Sequence, residues 1–311
     1  MDVKDGKTTL FPNGHFYSPV VDTDELRARA EELWHRREEL LPGIDFNLPA
    51  QRYVLEHVFP RHFPKFDYVA QQKDAIDAGG RQTYFIDNDQ FSHIDAAALF
   101  VLLCELQPRR IVEAGSGFST LLMVDVRNRF LAPGARIECI EPYPREFLLD
   151  PTYGISLVQK KIQDVPLSYF ESIEAGDFLF IDTSHVCKTG SDVNYLFLKI
   201  LPRLRPGVYV HVHDIFLPEE YPFRWVIEEN RSWNEQYLLQ AFLINNPKVK
   251  VLFGSGFARV MLTQQARDAV QGRVEIHGGS FWFQTIGDKS DGAFSTSSAL
   301  QGAVPSEHEP A

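Results

Sequence analysis

Apolar residues along this chain occur in two patterns that predict different elements. Between about residues 86 and 286, short continuous apolar runs alternate with segments whose apolar residues recur every three to four positions. The first pattern is typical of buried strands and the second of amphipathic helices. Buried strands separated by helices predict an α/β fold with a doubly wound, mostly parallel, Rossmann-like sheet. The predicted strands are RRIVEAG, ARIECIEP, GISLVQ, GDFLFID, GVYVHVHD, KVKVLFG and GGSFWFQTI.

The first 85 residues lack a convincing strand pattern and predict helices and loops instead. Leu26, Ala30 and Leu33 mark one side of an amphipathic helix over residues 22–41. The segment LPAQRYVLEHVF predicts a second, short helix. The aromatic residues at 15–17 (His, Phe and Tyr) are expected to fold over the mouth of a ligand cleft.

These patterns predict three parts of the chain. We expect an N-terminal helical cap and substrate-side extension over residues 1–85, and a Rossmann-like domain over residues 86–286. Residues 287–311 are rich in Ser, Gly, Ala and Glu and lack apolar periodicity, which predicts a disordered tail.

Composition narrows the classes of function. The 311 residues carry a formal net charge of −11, which argues against a nucleic-acid-binding surface. No apolar run is long enough to span a bilayer, and the N-terminal residues lack the apolar core of a signal peptide. The three cysteines, an odd number in apolar surroundings, are typical of buried thiols in a reducing compartment. We therefore expect a cytoplasmic protein that acts on a small molecule, binds neither nucleic acid nor membrane, and pairs through its helical cap into a homo-oligomer.

A ligand signal follows the first predicted strand, in the sequence VEAGSGFST. Gly115, Ser116 and Gly117 form a turn whose backbone amides can approach a polar ligand at the start of a helix. Glu113 precedes this turn and would repel a pyrophosphate, whereas it suits a cation. Glu141 ends the second strand, 28 residues after Glu113, where a carboxylate can accept both hydroxyls of a ribose.

Titratable residues end the fourth and fifth predicted strands. Asp182 and His185 follow FIDTSH, and His213 and Asp214 end GVYVHVHD. Neighbouring parallel strands place their carboxyl ends side by side, so these four side chains are expected to converge. Two carboxylates and two imidazoles indicate a divalent metal site, or a base held by acids. Because side chains alternate along a strand, Asp214 is expected to point away from His213 unless the strand end twists.

The E-x-G-x-G turn and the acid after the second strand resemble class I S-adenosylmethionine-dependent methyltransferases. The resemblance covers about residues 86–286. It implies that the positions Glu113, Gly115, Ser116, Gly117 and Glu141 bind S-adenosylmethionine. Asp164, after the third strand, is a looser match and is expected to meet the adenine edge.

The D-x-S-H segment and the acid ending the fifth strand look like metal-dependent sugar O-methyltransferases related to macrocin O-methyltransferase. That resemblance implies that Asp182 and Asp214 bind a divalent ion and that His185 is the general base. His213 departs from the pattern, which has an acid there. As a ligand, its imidazole would favour manganese, iron or zinc over magnesium.

The function expected from these features is O-methylation of a hydroxyl on a small molecule or sugar, assisted by a metal. Three alternatives stay open at this point. One is a metal-dependent oxygenase or hydrolase similar to cephalosporin hydroxylases, with His185, His213 and one aspartate as ligands. Another is a nicotinamide-binding domain, which Glu113 and the Thr at the third glycine position of that motif disfavour. The last is a nucleotide-binding module without catalysis.

Overall fold

The fold is given by a computed structural model, which describes residues 10–35 and 41–287. Its strands are β1 (Arg110–Ala114), β2 (Arg136–Ile140), β3 (Ser156–Val158), β4 (Phe178–Ile181), β5 (Tyr209–Val212), β6 (Val249–Gly254) and β7 (Phe281–Thr285). Its α-helices are α1 (Thr23–Ala28), α2 (Leu48–Tyr53), α3 (Phe59–His62), α4 (His93–Leu106), α5 (Phe118–Phe130), α6 (Leu167–Glu171), α7 (Asp192–Tyr195), α8 (Glu235–Leu243), α9 (Ser255–Met261) and α10 (Thr263–Val270). Single π-helical or 3₁₀ turns extend or connect several of them.

The seven strands form one sheet in the order β3-β2-β1-β4-β5-β7-β6. All neighbours are parallel except β7, which runs antiparallel to both β5 and β6. The predicted α/β fold with a mostly parallel, doubly wound sheet is confirmed. Each predicted strand segment contains one observed strand, since the buried runs are too short and too β-branched or aromatic for helices.

The strand register brings four positions to the same level at one edge of the sheet. Ala114 of β1 pairs with Ile140 of β2 and Ile181 of β4, and Ile181 pairs with Val212 of β5. The residues immediately after these partners are Gly115, Glu141, Asp182 and His213. Ligands bind at this carboxyl edge in open α/β sheets, so the fold places the candidate residues where a ligand is expected.

Helices bury the sheet on both faces. Helix α4 (HIDAAALFVLLCEL) is buried from Ile94 to Cys104 on every side, as its lack of a polar face requires. Helices α2 and α3 pack on β6 and α4, and Phe59 and Phe63 belong to the same apolar core as the sheet. Residues 41–85 therefore share the core of the α/β domain rather than enclosing one of their own.

The N-terminal amphipathic helix is shorter than its pattern predicts. Helix α1 begins after Asp22, whose side chain accepts hydrogen bonds from the amides of Asp24 and Glu25. It ends at Ala28, and a π-helical turn follows over Glu31–His35. The rest of the predicted helix, at residues 36–40, and the predicted tail from residue 288 lie outside the described residues. Every helix in the described parts of the chain is too short or too polar to cross a bilayer.

Candidate functional site

The turn after β1 is built so tightly that only glycine fits its first position. Gly115 has φ +81°, in the left-handed region that favours glycine, and a Cβ there would overlap the backbone oxygen of Asp182. The amide of Asp182 in turn bonds the carbonyl of Ala114 at 2.9 Å. The end of β4 therefore lies directly against the turn, and a ligand on this turn would also lie close to Asp182.

Glu113 supports this turn from below. Its carboxylate is fully buried and accepts hydrogen bonds from Ser119 Oγ at 2.7 Å and Thr120 Oγ1 at 2.6 Å. Thr120 Oγ1 also accepts the amide of Gly117 at 3.1 Å. Helix α5 thus donates to both oxygens of Glu113, and Glu113 is not among the residues that line the cavity; its contact with the cofactor stays a prediction.

Burial raises the pKa of Glu113 to about 7, against the hydrogen bonds from Thr120 and Ser119 that favour the carboxylate. The folded protein then holds this proton more tightly than the unfolded chain, so the contribution to stability is lost as pH rises. Glu113→Gln cannot titrate. We expect the stability of the wild type relative to Glu113→Gln to fall by up to about 3 kcal/mol from about pH 5 to about pH 8. Urea unfolding of both proteins at the two pH values measures this difference in stability. A difference that does not change with pH would contradict the raised pKa of Glu113.

Glu141 lies beside the turn and lines the cavity described below. Its Oε2 accepts the amide of Ser116 at 3.2 Å, and its Oε1 accepts the amide of Tyr143 at 2.7 Å. Glu141 is half-buried, and Gly115, Ser116 and Gly117 line the same cavity. Asp164, by contrast, is exposed and is not among the residues that line the cavity, so the structure does not bring it to the site.

Three titratable residues meet at the carboxyl ends of β4 and β5, and we call them the Asp–His–Asp cluster: Asp182, His185 and Asp214. His185 Nε2 lies 3.4 Å from Asp182 Oδ1 and 3.4 Å from Asp214 Oδ2. One donor atom from each residue lies within 4.8 Å of the others, which is close enough to hold a metal ion. The expected convergence of the strand ends is therefore present.

Two members of the cluster have unusual backbone conformations. His185 has φ +59° and Asp214 has φ +56°, a region that non-glycine residues seldom adopt and that concentrates at functional sites. The left-handed turn at Asp214 explains how it reaches its neighbours although strict alternation along β5 would turn it away.

His213 is the predicted metal ligand that lies outside the Asp–His–Asp cluster. Its ring is buried against Phe91 at 5.0 Å between centroids, and its Nε2 lies 3.6 Å from Asp214 Oδ1. His213 lines the cavity, but the donor atoms that are close enough together to hold a metal ion come from Asp182, His185 and Asp214. His211 is fully buried, and its Nε2 is 3.0 Å from Ser280 Oγ; burial lowers the pKa of His211 well below its usual value.

The charges in the cluster oppose one another. Burial favours a neutral ring at His185, but the carboxylates of Asp182, Glu235 and Asp214 outweigh it and raise the pKa of His185 well above its ordinary value. Burial likewise favours a neutral Asp182, yet the neighbouring His213 and His185 lower the pKa of Asp182. Burial instead raises the pKa of Asp214, so Asp182 is the member of the cluster whose lowered pKa favours a bound cation.

Two buried acids at this edge were not found from the sequence. Glu235, at the start of α8, contacts His185 Nδ1 at 2.8 Å. Asp95, an acid within the apolar pattern of α4, accepts Ser255 Oγ at 2.6 Å and the amides of Gly279 and Ser280 at 2.8 and 3.0 Å. Its isolation in an apolar helix was a usable signal, whereas Glu235 was hidden in an ordinary amphipathic helix.

A cavity of about 1360 Å³ extends over the glycine turn, Glu141 and the cluster. That volume exceeds the usual range for one small ligand, about 300–1000 Å³, and leaves room for two substrates. The residues after β5 and the N-terminal residues 32–34 form its roof. Trp34 Nε1 donates to the carbonyl of Tyr221 at 2.8 Å, which fastens the N-terminal segment to the roof. Phe16 and Tyr17, expected at the mouth, are instead mostly exposed.

The aromatic residues of the roof differ in position. Trp225 and Trp233 line the cavity, whereas Tyr221 is buried and Tyr237 is partly exposed away from it. Trp233 lies 4.4 Å from the ring of His185 and 4.6 Å from the guanidinium of Arg231. Because these two groups pack on it, Trp233 helps to fix His185 rather than offering a free wall to a substrate.

The sheet order, the glycine turn and the acid after β2 define a class of protein. A family model described as "Methyltransferase domain" matches residues 112–215, which run from β1 to the end of the Asp–His–Asp cluster. The chain belongs to the class I S-adenosylmethionine-dependent methyltransferases.

An uncharacterised protein of Archaeoglobus fulgidus is 36% identical over 169 residues, which are 53% of this chain and 74% of that protein. Among solved structures, the O-methyltransferase TomG of Streptomyces achromogenes, in complex with S-adenosylmethionine, is 19% identical to this chain, with a TM-score of 0.38. The match covers 61% of this chain and 78% of the TomG chain. An O-methyltransferase of Bacillus cereus, in complex with S-adenosylhomocysteine, is 14% identical with a TM-score of 0.37, covering 85% and 97%.

Proposed function

We propose that this methyltransferase methylates a hydroxyl group of a small molecule or sugar, with His185 as the general base. The observation that carries the proposal is the position of His185 Nε2, which lies between two carboxylates in the cavity that Gly115 and Glu141 also line. An alcohol needs a base to become a good nucleophile at neutral pH, and a positioned histidine contributes about 10²- to 10⁴-fold to such a step.

The residues fit S-adenosylmethionine. The turn at Gly115 leaves space that a Cβ would fill, and Glu141 offers carboxylate oxygens beside it. S-adenosylmethionine supplies a methyl group on a sulfonium cation, which an acidic cavity attracts. We propose that Glu141 holds the ribose hydroxyls and that the amides of the turn from Gly115 to Gly117 hold the methionine part.

In the transfer, the acceptor oxygen bonds to the methyl carbon as the carbon–sulfur bond breaks, and the electron pair of that bond stays on sulfur. The hydroxyl proton passes to Nε2 of the neutral His185 ring. Because the surrounding carboxylates raise the pKa of His185, turnover is expected to rise as the pH increases through that pKa. Asp182 and Asp214 flank that nitrogen and stabilise the imidazolium that forms. Trp34 and the residues after β5 line the cavity and would position the acceptor, which is the main task in a displacement of this kind.

The two carboxylates of the Asp–His–Asp cluster also fit a divalent ion such as magnesium or manganese, for which oxygen atoms are suitable ligands, and His185 Nε2 would then stay free as the base. When bound between Asp182 and Asp214, the ion would lower the pKa of an acceptor hydroxyl. The oxygenase alternative needs two histidines and one carboxylate, whereas this cluster has one histidine and two carboxylates. The observed donor set therefore favours the methyltransferase.

Calorimetry with S-adenosylhomocysteine tests the cofactor assignment. We expect Glu141→Gln to weaken binding by at least about tenfold, since a charge-assisted pair of hydrogen bonds contributes about 1.5–3 kcal/mol. Glu146→Gln, also after β2 but outside the cavity lining, should bind as the wild type does. A second titration with Mn²⁺ should show binding that Asp182→Asn weakens. Equal S-adenosylhomocysteine affinity in Glu141→Gln and the wild type would contradict the assignment.

A further inference from the structure

We propose that Glu235 is the positioning residue that directs His185 toward the acceptor, an inference that rests on the proposed function of His185. The Oε2 atom of Glu235 lies 2.8 Å from His185 Nδ1. An ionised Glu235 can only accept at this distance, so we infer that the Nδ1–H of the ring donates to it. The other ring nitrogen, Nε2, is then the one left between Asp182 and Asp214.

The backbone around Glu235 holds His185 in the same orientation. The amides of Asn234 and Glu235, at the start of α8, both donate to the carbonyl of His185, at 3.1 and 3.2 Å. The side chain of Asn234 does not cap its own helix. Its Oδ1 accepts the amide of Cys187 at 2.5 Å instead. These bonds stabilise the left-handed backbone of His185, which would otherwise cost about 1–2 kcal/mol.

The burial of Glu235 is more than a helix start needs. An acid in the first turn gains from the helix dipole while exposed, yet Glu235 is fully buried and burial raises its pKa. Its Oε1 has no hydrogen-bond partner among the described residues. Most buried polar atoms are paired, so a carboxylate placed here only for stability would be a poor choice. Its one side-chain partner is the nitrogen that sets the orientation of His185.

Glu235→Gln is the variant that separates positioning from stability. The amide of glutamine can donate to Nδ1, which would move the ring proton to Nε2 and block the base. A matching exchange of acid for amide in a serine-protease triad lowers kcat by about 10⁴-fold. We expect kcat to fall by about 10²- to 10⁴-fold in Glu235→Gln, with the acceptor KM and the S-adenosylhomocysteine affinity within about threefold of wild type.

Glu235→Asp should restore part of the loss. Asp177→Asn removes another buried carboxylate, at the opposite edge of the sheet before β4, and should leave kcat unchanged.

A spectroscopic readout tests the orientation without turnover. In protein labelled with ¹⁵N-histidine and free of cofactor and acceptor, the Nδ1–H of His185 should give a downfield proton signal that exchanges slowly with water. The His185→Asn variant assigns the signal, and Glu235→Gln should abolish it. A persistent signal in Glu235→Gln, or a wild-type His185 that carries its proton on Nε2 alone, would overturn the proposal. If the signal behaves as expected but no hydroxyl acceptor is methylated, the orientation by Glu235 stands and the proposed function falls.

Discussion

Gly115→Ala is expected to destabilise the protein by more than about 3 kcal/mol and to weaken S-adenosylhomocysteine binding by more than about tenfold. A Cβ at this position would overlap the backbone oxygen of Asp182, and neither segment can yield without breaking a strand. The amide of Asp182 and that of Gly115 are both in hydrogen bonds to neighbouring strands. Any movement that relieves the clash therefore separates the turn from the cluster.

Two matched glycines separate the clash from other effects. Gly134→Ala places a side chain at φ +91° in open space, so it measures the backbone cost alone, about 1–2 kcal/mol. Gly117→Ala adds a Cβ whose nearest neighbour, Arg145 Nε, is 4.0 Å away, and its φ is one that any residue adopts, so its effect on stability should be small. Chemical unfolding of the three variants provides the comparison. If Gly115→Ala were no less stable than Gly134→Ala, the tight approach of β4 to the turn would be wrong.

His185→Asn is expected to lower kcat by about 10²- to 10⁴-fold, because the acceptor hydroxyl loses its base. Cofactor binding depends on the turn and on Glu141, so the S-adenosylhomocysteine affinity should stay within about threefold of wild type. His57→Asn removes an exposed histidine of the helical segment after α2, outside the cavity lining, and should leave turnover unchanged. Single-turnover kinetics with the acceptor measures the step directly. A His185→Asn enzyme with wild-type turnover would remove this residue from the mechanism.

The sequence predicted the sheet well because buried parallel strands leave a strong local signal. All seven strands, and the meeting of Asp182 with the ends of β1 and β5, followed from short apolar runs and from strand topology. Helices α9 and α10 were not predicted. Helix α9 contains Gly256 and begins directly after β6. The apolar pattern therefore changes from that of a strand to that of a helix without a polar segment to mark the boundary.

The candidate site was predicted in outline but not in detail, for physical reasons. Glu113 and Glu141 look alike in sequence, yet the hydroxyls of α5 bury the first and leave the second in the cavity. His185 and Asp214 enter the cluster through left-handed backbone turns that no periodicity encodes. Glu235 contacts His185, which lies 50 residues earlier in the sequence. Such a contact depends on tertiary packing rather than on the local sequence pattern.

A crystal structure of the protein with S-adenosylhomocysteine tests the central claim most directly, namely that a single cavity joins the cofactor turn to the Asp–His–Asp cluster. The claim predicts ribose hydroxyls on the carboxylate of Glu141, the amino-acid part over Gly115–Gly117, and the sulfur facing His185 Nε2. Electron density for the ligand elsewhere, or a ligand on the turn with its sulfur directed away from the cluster, would contradict it.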